Sequence, residues 1–342
     1  MPLIIPVFIP HQGCPHTCIF CNQHRISGRA AGAAVTAADV QDTITAWLDR
    51  SPGRNGDDVQ VAFYGGSFTG LPGSRQQELL QAVEPFLGDD RVGSIRLSTR
   101  PDYIDGAAVA FLRNHGVATV EIGVQSLDDR VLEASCRGHK AAHTFKAVEH
   151  LRHGGMETGL QLMLGLPEQS FYSLRQTVKQ AAALQPDFVR IYPVLVLRDS
   201  GLSSLHGKGM FQPLSLGKAV AQAAWMKKYF AAHGVRVVRT GLQPGRELED
   251  SLVAGPYHPA FGELVSSRIM LQQTRKALQC SGNSDRQVLA ISTSDVSIFR
   301  GVKSSNIRRL KELGLDGRYV LITDREQPRF TLRKLSTVPM KN

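Results

Sequence analysis

The sequence lacks the features that mark several large classes of protein. In 342 residues, no apolar run approaches the ~20 residues that a membrane-spanning helix needs. The apolar segment at the start, residues 1–10, is short, has no basic residue and contains three prolines, so it does not have the pattern of a signal peptide. We therefore predict a cytoplasmic protein with no membrane association. In that reducing compartment, cysteines serve metal binding or redox chemistry more often than disulfides.

Cysteine is scarce as well, but three of the five residues lie close together. Cys14, Cys18 and Cys21 fall in the segment GCPHTCIFCNQ, whereas Cys136 and Cys280 stand alone and are interpreted as ordinary thiols. Thiolates bind soft metals, and a short loop with three of them can wrap around one metal centre. Three cysteines on a cubane iron–sulfur cluster leave one iron open to a substrate or cosubstrate.

A zinc site is the alternative for the same cysteines. Structural zinc usually has four protein ligands, commonly as two separated pairs, and the sequence contains no second cysteine pair. A nearby histidine, His11, His16 or His24, would have to complete such a site. This alternative predicts a zinc-bound RNA-binding protein rather than an enzyme.

The composition predicts a folded protein with an anionic partner. Hydrophobic residues make up 42% of the chain and charged residues 20%, which is enough for a substantial core. Lys and Arg exceed Asp and Glu by 10, 40 against 30, and residues 281–342 contribute +6 of this excess, 12 against 6. Five basic residues cluster there where phosphates could be neutralised: Arg300, Lys303, Arg308, Arg309 and Lys311. A solvated positive surface would have the same composition.

Apolar, β-branched runs alternate with amphipathic segments along the first 200 or so residues, which is typical of repeated βα units and a parallel sheet. Six strands are predicted: Leu3–Ile9, Val59–Tyr64, Ser94–Ser98, Thr119–Val124, Thr158–Leu164 and Phe188–Leu195. Six such units predict a partial (β/α)6 TIM-like barrel, with functional residues at the carboxyl ends of its strands. A doubly wound sheet is the alternative, but no G-x-G-x-x-G follows the first strand.

The rest of the chain predicts a small C-terminal α+β module. A short strand at Val235–Arg239 and a helix near Phe261–Gln279 come first, followed by a polar linker at Ser281–Arg286. Beyond the linker, we predict strands at Val288–Ile291, Ile298–Phe299 and Tyr319–Thr323, with a helix near Ser305–Leu313. We accordingly divide the chain into a barrel with a helical extension, residues 1–265, and a basic module, residues 266–342.

Further motifs follow the predicted strands in order. Tyr64-Gly65-Gly66-Ser67-Phe68-Thr69 ends the second strand, where paired glycines let a ligand approach the backbone closely. The motifs after it are STRPD (98–102), EIGVQS (121–126), RGH (137–139), GLP (165–167) and IYP (191–193). Together with the cysteine loop, they resemble the radical S-adenosylmethionine (SAM) superfamily. Their order resembles the radical SAM half of the Elp3 family, the catalytic subunits of Elongator, which modify wobble uridine in tRNA. Oxygen-independent coproporphyrinogen oxidases share the GVQ and GLP elements.

The resemblance, which covers about residues 1–205, implies a radical SAM enzyme. Cys14, Cys18 and Cys21 would hold a 4Fe–4S cluster whose open iron chelates SAM. A reduced flavodoxin or ferredoxin would supply the electron that cleaves SAM to methionine and a 5′-deoxyadenosyl radical. The SAM contacts that the resemblance implies are Gly65, Gly66, Ser67, Phe68, Ser98, Glu121, Gln125, Arg137 and Gln161. For Arg137 a surface ion pair is the alternative, and for Glu121 a structural role inside the barrel, because a carboxylate there is costly unless paired.

The sequence departs from the family patterns at two residues and lacks the length of a full Elp3 protein. Ser98 stands where Elp3 proteins usually have Glu, and Gln161 stands where porphyrin-type relatives carry an acidic residue at the SAM ribose. An amide still accepts a hydrogen bond from a hydroxyl. About 60 residues follow the linker, too few for the acetyltransferase domain that ends full Elp3 proteins, so we expect no acetyl transfer.

The resemblance and the charge together predict an RNA substrate, tRNA in particular. Tyr257 and Phe261 are candidates for stacking on its unpaired bases. A small metabolite or a tetrapyrrole is the alternative substrate.

Overall fold

The computed structural model describes residues 2–9, 11–22, 34–279 and 285–339. Cys280, His24 and residues 281–284 of the predicted linker lie outside the described residues, while Arg286 lies in a strand. The chain forms two compact units, one of Met1–Ser215 with Tyr229–Tyr257 and the other of Leu216–Lys228 with His258–Asn342. The division at residue 265 stays a prediction.

Seven parallel strands form one sheet in the first unit. They are β1 (Leu3–Phe8), β2 (Val59–Tyr64), β3 (Ser94–Thr99), β4 (Val117–Gln125), β5 (Glu157–Leu164), β6 (Phe188–Pro193) and, after the two-residue β7 (Val196–Leu197), β8 (Arg236–Thr240). Strands that follow one another along the chain are neighbours in this sheet, in the order β1-β2-β3-β4-β5-β6-β8. A doubly wound sheet would reverse its strand order at a switch point, and this one does not. The curled half-barrel confirms the predicted partial TIM-like barrel, which β8 extends by one strand.

Helices follow the strands on the outside of the sheet. They are α1 (Ala37–Asp49), α2 (Gly73–Gln81), α3 (Glu84–Gly88), α4 (Gly106–Asn114), α5 (Asp129–Ala134), α6 (Ala141–His153), α7 (Phe171–Ala183) and α8 (Gly201–Gly207). The next helix, α9 (Leu216–Ala232), belongs mainly to the second unit, and α10 (Arg246–Ser251) belongs to the first. Polar residues fix where several of them begin: the side chains of Thr36, Asp105 and Ser170 accept hydrogen bonds from the first turns of α1, α4 and α7. A short antiparallel pair joins β7 to β9 (Leu252–Ala254). None of the helices among the described residues is both long and apolar enough to cross a membrane.

The apolar core of the first unit includes one face of the sheet. Val61, Phe63, Leu97, Val120 and Ile122 have no exposed surface, and the strand register places all five on the same face. The opposite face lines the inside of the barrel and carries Arg96 and Glu121. These polar side chains inside the barrel mark the site.

The second unit contains a three-stranded sheet, β10 (Asp285–Ser292), β11 (Tyr319–Asp324) and β12 (Leu332–Pro339), in the order β11-β10-β12. It also contains α11 (Phe261–Gln279), α12 (Val296–Arg300) and α13 (Ser305–Glu312). The predicted strand at Ile298–Phe299 was wrong, because both residues lie in α12 and pack into the apolar core of this unit. Two adjacent apolar residues carry no periodicity that separates a helix from a strand. The third strand is β12, which we did not predict.

Candidate functional site

The cysteine loop follows β1 at the carboxyl end of the sheet, and two backbone hydrogen bonds hold its centre. The N–H of Ile19 donates to the carbonyl of Ser135 (3.1 Å), and the carbonyl of Ile19 accepts from the N–H of Leu202 (2.8 Å). Within the loop, the N–H of Cys21 donates to the carbonyl of Cys18 (2.9 Å). The loop is thus fixed between the end of α5 and the start of α8.

The glycine-rich segment after β2 packs backbone against backbone on this loop. A Cβ atom at Gly66 would lie 2.3 Å from the carbonyl oxygen of Gln12, and one at Gly13 would lie 2.1 Å from that of Ser67. The N–H of Ser67 donates to the same Gln12 carbonyl (3.0 Å). Gly65 has a φ of +99°, a conformation that other residues rarely adopt. The glycine pair therefore has a structural role that the sequence did not reveal, because it lets the cysteine loop pack closely against the glycine-rich segment.

Arg137 lies beside the cysteine sulfurs. Its Nη1 atom donates to the Sγ atom of Cys18 (3.1 Å), and its Nη2 atom donates to the carbonyl of Gly123 (2.6 Å). The side chain is buried, so the alternative of a surface ion pair was wrong. Burial and then the neighbouring Cys18 raise the pKa of the Cys14 thiol, while the guanidinium groups of Arg137 and Arg100 act in the opposite direction. Metal binding would overcome this burial effect, since a bound metal deprotonates a coordinating thiol.

Ser67, Thr69 and Thr99 form a buried hydroxyl cluster behind the glycine-rich segment. The Oγ1 atom of Thr99 lies 3.0 Å from the Oγ atom of Ser67 and 2.6 Å from the Oγ1 atom of Thr69. The next residue, Arg100, makes two hydrogen bonds to Asp102 (3.0 and 2.8 Å). Burial raises the pKa of Asp102, but these bonds and the Arg100 charge outweigh it, so the net pKa is lowered. The STRPD motif thus ties the ends of β2 and β3 together.

Glu121 lies inside the barrel with no exposed surface, and its carboxylate has four partners. Arg190 Nε is 2.7 Å and Arg96 Nη1 is 3.2 Å from its oxygens. The Tyr64 hydroxyl and the Gln161 amide donate to it as well, each at 3.1 Å. Burial and the Glu121 charge raise the pKa of Tyr64, so the phenol keeps the proton that it donates. These partners favour the structural role for Glu121, and its contact with SAM stays a prediction.

The remaining predicted SAM contacts lie on neighbouring strands. Gln161 donates from its Nε2 atom to Ser98 (3.1 Å), so the two residues that depart from the family patterns contact each other. Phe68 points into the core, where its ring lies 5.1 Å from that of Phe63, and it can offer a ligand only its backbone. Gln125 ends β4 with a φ of +63°, uncommon for a residue with a side chain.

Two buried groups near Arg137 have polar atoms without a partner among the described residues. They are the Oε1 atom of Gln125 and both ring nitrogens of His139, none of which has a hydrogen-bond partner in the described part of the chain. His139 also lines a cleft of about 680 Å³ with His16, Thr17 and Cys136. Burial, then the neighbouring Arg137, lowers the pKa of His139 to about 3, so the ring is neutral at physiological pH. Buried polar atoms of this kind are costly unless something bonds to them.

These residues fit an iron–sulfur cluster with SAM. Three sulfur donors lie on one fixed loop, and an arginine donates a hydrogen bond to one of them. A ligand such as SAM would donate a hydrogen bond to the Gln125 oxygen. Across residues 2–9, 11–22, 34–279 and 285–339, no three His, Cys, Asp or Glu side chains converge on the position of a single metal ion. In a cubane each cysteine binds a different iron, so the sulfurs need not converge in this way. The donor set therefore fits the cluster better than the zinc alternative.

Arg96, Arg190 and His139 belong to this region although they were not predicted as site residues. The signal for the two arginines is a charged residue inside an otherwise apolar barrel strand, which requires a buried counter-charge. His139 lies in the RGH motif that the resemblance includes, but no pattern in the sequence shows that its ring is buried.

The predicted RNA contacts have mixed outcomes. Phe261 is 3% exposed at the start of α11, so the prediction that it stacks on a base was wrong, because a buried ring has no face open to a base. The Tyr257 hydroxyl donates to Glu249 (2.6 Å), and its side chain packs on Leu195, Leu197 and Leu248. Both the hydroxyl and the ring therefore already have contacts within the protein. All five residues of the basic cluster, Arg300, Lys303, Arg308, Arg309 and Lys311, are exposed.

Comparison with known proteins gives a family match and several relatives. Residues 8–181 match the model of the radical SAM superfamily, and residues 186–270 match the radical SAM C-terminal domain. An uncharacterised protein of Methanocaldococcus jannaschii is 26% identical over 220 residues, which are 61% of this chain and 66% of that protein. The tRNA uridine(34) acetyltransferase of Methanocaldococcus infernus is 30% identical over 193 residues, 56% of this chain. The chain spans only 35% of that enzyme's length.

A solved structure shares the fold. The archaeal Elp3 of Methanocaldococcus infernus, with residues 1–46 deleted, has a TM-score of 0.61 to this chain at 18% identity. The likeness covers 84% of this chain and 70% of that one. At such an identity it shows a common architecture.

Proposed function

Because the chain belongs to the radical SAM superfamily, we propose that it is an enzyme that uses a 4Fe–4S cluster and SAM to modify RNA, with tRNA as the substrate. The observation that carries the chemistry is the fixed loop with Cys14, Cys18 and Cys21, which lies inside the residues that match the superfamily. The bound cofactors supply a one-electron cleavage of the SAM sulfonium that yields methionine and a 5′-deoxyadenosyl radical. The chain itself contributes positioning and the exclusion of water.

In this proposal the three cysteines bind three irons, and Arg137 donates a hydrogen bond to the Cys18 sulfur. Hydrogen bonds to cluster sulfurs favour the more negative, reduced state. The SAM contacts are the backbone of Gly65, Gly66, Ser67 and Phe68 and the side chains of Ser98, Gln125, Arg137 and Gln161. Glu121 positions Arg96 and Arg190 between the strands, because its carboxylate already accepts from four donors.

An external protein would have to bring the electron that this chemistry consumes. We propose a reduced flavodoxin or ferredoxin as this donor. The cytoplasm is the compartment that suits the reaction, because the reducing environment keeps Cys14, Cys18 and Cys21 available as thiols.

Two observations support RNA as the substrate. The first is the similarity to an enzyme named for tRNA uridine(34), over 193 residues. The second is the charge of +10, with five exposed cations on and between α12 and α13. Phosphate neutralisation by such cations dominates the affinity of proteins for nucleic acids. The acetyl transfer in the relative's name is not included in our proposal.

The test is SAM turnover with RNA present. Reconstituted, reduced enzyme is incubated with SAM and with bulk tRNA from cells that lack this protein, and 5′-deoxyadenosine and tRNA nucleoside masses are measured. We expect release of 5′-deoxyadenosine, stimulated by tRNA, and a nucleoside of changed mass. A variant with the five cations changed to Ala should bind tRNA more weakly than a control variant in which exposed arginines outside this cluster are changed to Ala. Turnover that tRNA neither stimulates nor couples to a new nucleoside refutes the RNA substrate.

A small metabolite or tetrapyrrole is the second candidate substrate. The elements Gly123-Val124-Gln125 and Gly165-Leu166-Pro167, which coproporphyrinogen oxidases share, support it. Stimulation of SAM cleavage by a porphyrinogen, together with no binding of tRNA at moderate salt, is the result that favours this candidate.

A further inference from the structure

The exposed face of α7 combines aromatic rings with cations. Phe171 is 47% exposed and Tyr172 is 70% exposed, in the first turn of the helix. Arg175 and Lys179 follow them on the same exposed face, one and two turns along. The opposite face is buried through Leu174, Val178 and their neighbours. The helix sequence, FYSLRQTVKQAAA, contains no acidic residue.

The aromatic end of this face lies at the carboxyl end of the barrel strands. α7 begins after the GLP segment that follows β5, and the Ser170 side chain fixes its first turn by accepting from the N–H of Ser173 (3.0 Å). The Gln169 side chain holds the segment itself by accepting from the N–H of Gly165 (2.7 Å). Because the loops after parallel strands meet at one end of a barrel, Tyr172 stands at the same end as the cysteine loop. The two cations lead from there along the outside of the barrel.

The neighbouring helix α6 extends the positive surface. Arg152 near its end donates to the carbonyl of Leu184 just after α7, so the carboxyl ends of the two helices lie close together. α6 exposes Lys146 and Arg152, and Glu149 is the one acidic residue in its sequence. The two helices thus carry four Lys or Arg against one Glu. This imbalance suits a polyanion, and the exposed rings favour RNA over an acidic protein, because unpaired bases stack on aromatic side chains.

We propose that the α7 stripe, defined as Tyr172, Arg175 and Lys179, binds the single-stranded part of the RNA substrate at the barrel entrance. Tyr172 stacks on an unpaired base, and Arg175 and Lys179 contact the phosphates next to it. The inference rests on the proposed RNA function and adds to it a surface on the first unit, separate in sequence from the basic cluster of α12 and α13.

The test compares tRNA binding by full-length variants over a range of salt concentrations. Losing two phosphate contacts on a single strand should make the slope of log K against log salt shallower by about 1.4 in Arg175→Ala/Lys179→Ala. Arg50→Ala/Arg113→Ala is the matched control, because both arginines are exposed at the far ends of α1 and α4, away from the barrel entrance. We expect its slope to equal that of the wild type. Tyr172→Ala should bind about tenfold more weakly, whereas Tyr172→Phe keeps the ring and should bind normally.

The outcomes separate this inference from the proposed function. If the wild type binds no tRNA, the RNA function fails and the stripe fails with it. If the wild type binds tRNA and the stripe variant has the slope of the control, only the stripe is refuted, and equal binding by Tyr172→Ala and Tyr172→Phe refutes the stacking. A stripe variant that binds tRNA normally but loses reduction by flavodoxin assigns the surface to an acidic protein and overturns the proposal. Unchanged iron content and tRNA-free SAM cleavage confirm that the variants are folded.

Discussion

The buried ring of His139 gives a prediction about acid stability. Only 4% of the residue is exposed, and neither ring nitrogen has a hydrogen-bond partner among the described residues. Burial, then the positive charge of Arg137, lowers the pKa of His139 to about 3. The same ring titrates at about 6.5 in an unfolded chain. Between these two values the unfolded state binds a proton that the folded state does not.

The sign and size of the effect follow from this difference. Because the unfolded state gains the proton, the free energy of unfolding falls as the pH drops below about 6.5 and keeps falling until about pH 3. Each pH unit in that window is worth about 1.4 kcal/mol. At pH 5 the His139 contribution is therefore a loss of about 2 kcal/mol relative to pH 7.5, a substantial share of the stability of a typical domain.

The assay is urea unfolding of iron-free wild type and His139→Gln at pH 7.5 and pH 5. Iron-free protein is used because acid itself releases iron from clusters. Gln fills similar space without titrating, so its packing cost is the same at both pH values and cancels in the comparison. We expect the wild type to lose about 2 kcal/mol more than the variant between the two pH values. An identical pH dependence in both proteins refutes a depressed pKa at His139.

Three further predictions concern the site. Glu121→Gln should cost about 3–5 kcal/mol in urea unfolding, because it removes the buried carboxylate that pairs with Arg190 and one of the two carboxylates that pair with Arg96. The same change at the partly exposed Glu157 should cost at most about 1 kcal/mol, and equal costs would contradict a special role for the buried carboxylate. Gly66→Ala should reduce iron uptake, because the new Cβ atom would clash with the Gln12 carbonyl. The control Gly73→Ala, which has open space around its Cβ atom, should take up iron normally. Normal uptake in both variants would show that close packing of the two loops is not needed for iron binding. Arg137→Met should make the midpoint potential of the cluster more negative by about 60 mV, which is the equivalent of about 1.4 kcal/mol for a lost hydrogen bond. Redox titration followed by electron paramagnetic resonance measures this potential, and an unchanged value would contradict the contact with Cys18.

The sequence was a good guide to the barrel for a physical reason. Each strand carries apolar residues on the face opposite to the site, and the helices that follow the strands are amphipathic, so both patterns are visible without any tertiary information. The cysteine loop was visible because its ligands are adjacent in the chain. The prediction at Ile298–Phe299 failed because it rested on only two apolar residues. The strand β12 was missed because its residues 333–336 are exposed and carry no apolar run.

The contacts inside the site could not be predicted from the sequence. Glu121, Arg96 and Arg190 lie on three different strands, and their meeting depends on strand register and on the direction of each side chain. The same holds for Arg137, whose contact with the Cys18 sulfur joins residues 119 positions apart. The resemblance could name Gly66 as a ligand-binding residue, but the clash with the Gln12 carbonyl appears only in three dimensions.

The central claim is that Cys14, Cys18 and Cys21 hold the cluster, and metal analysis tests it most directly. Wild type and the triple Cys→Ala variant are reconstituted anaerobically, and iron and acid-labile sulfide are measured per chain. We predict about four iron and four sulfide in the wild type and neither in the variant. Zinc without sulfide in the wild type, or iron and sulfide retained in the triple variant, would contradict the account.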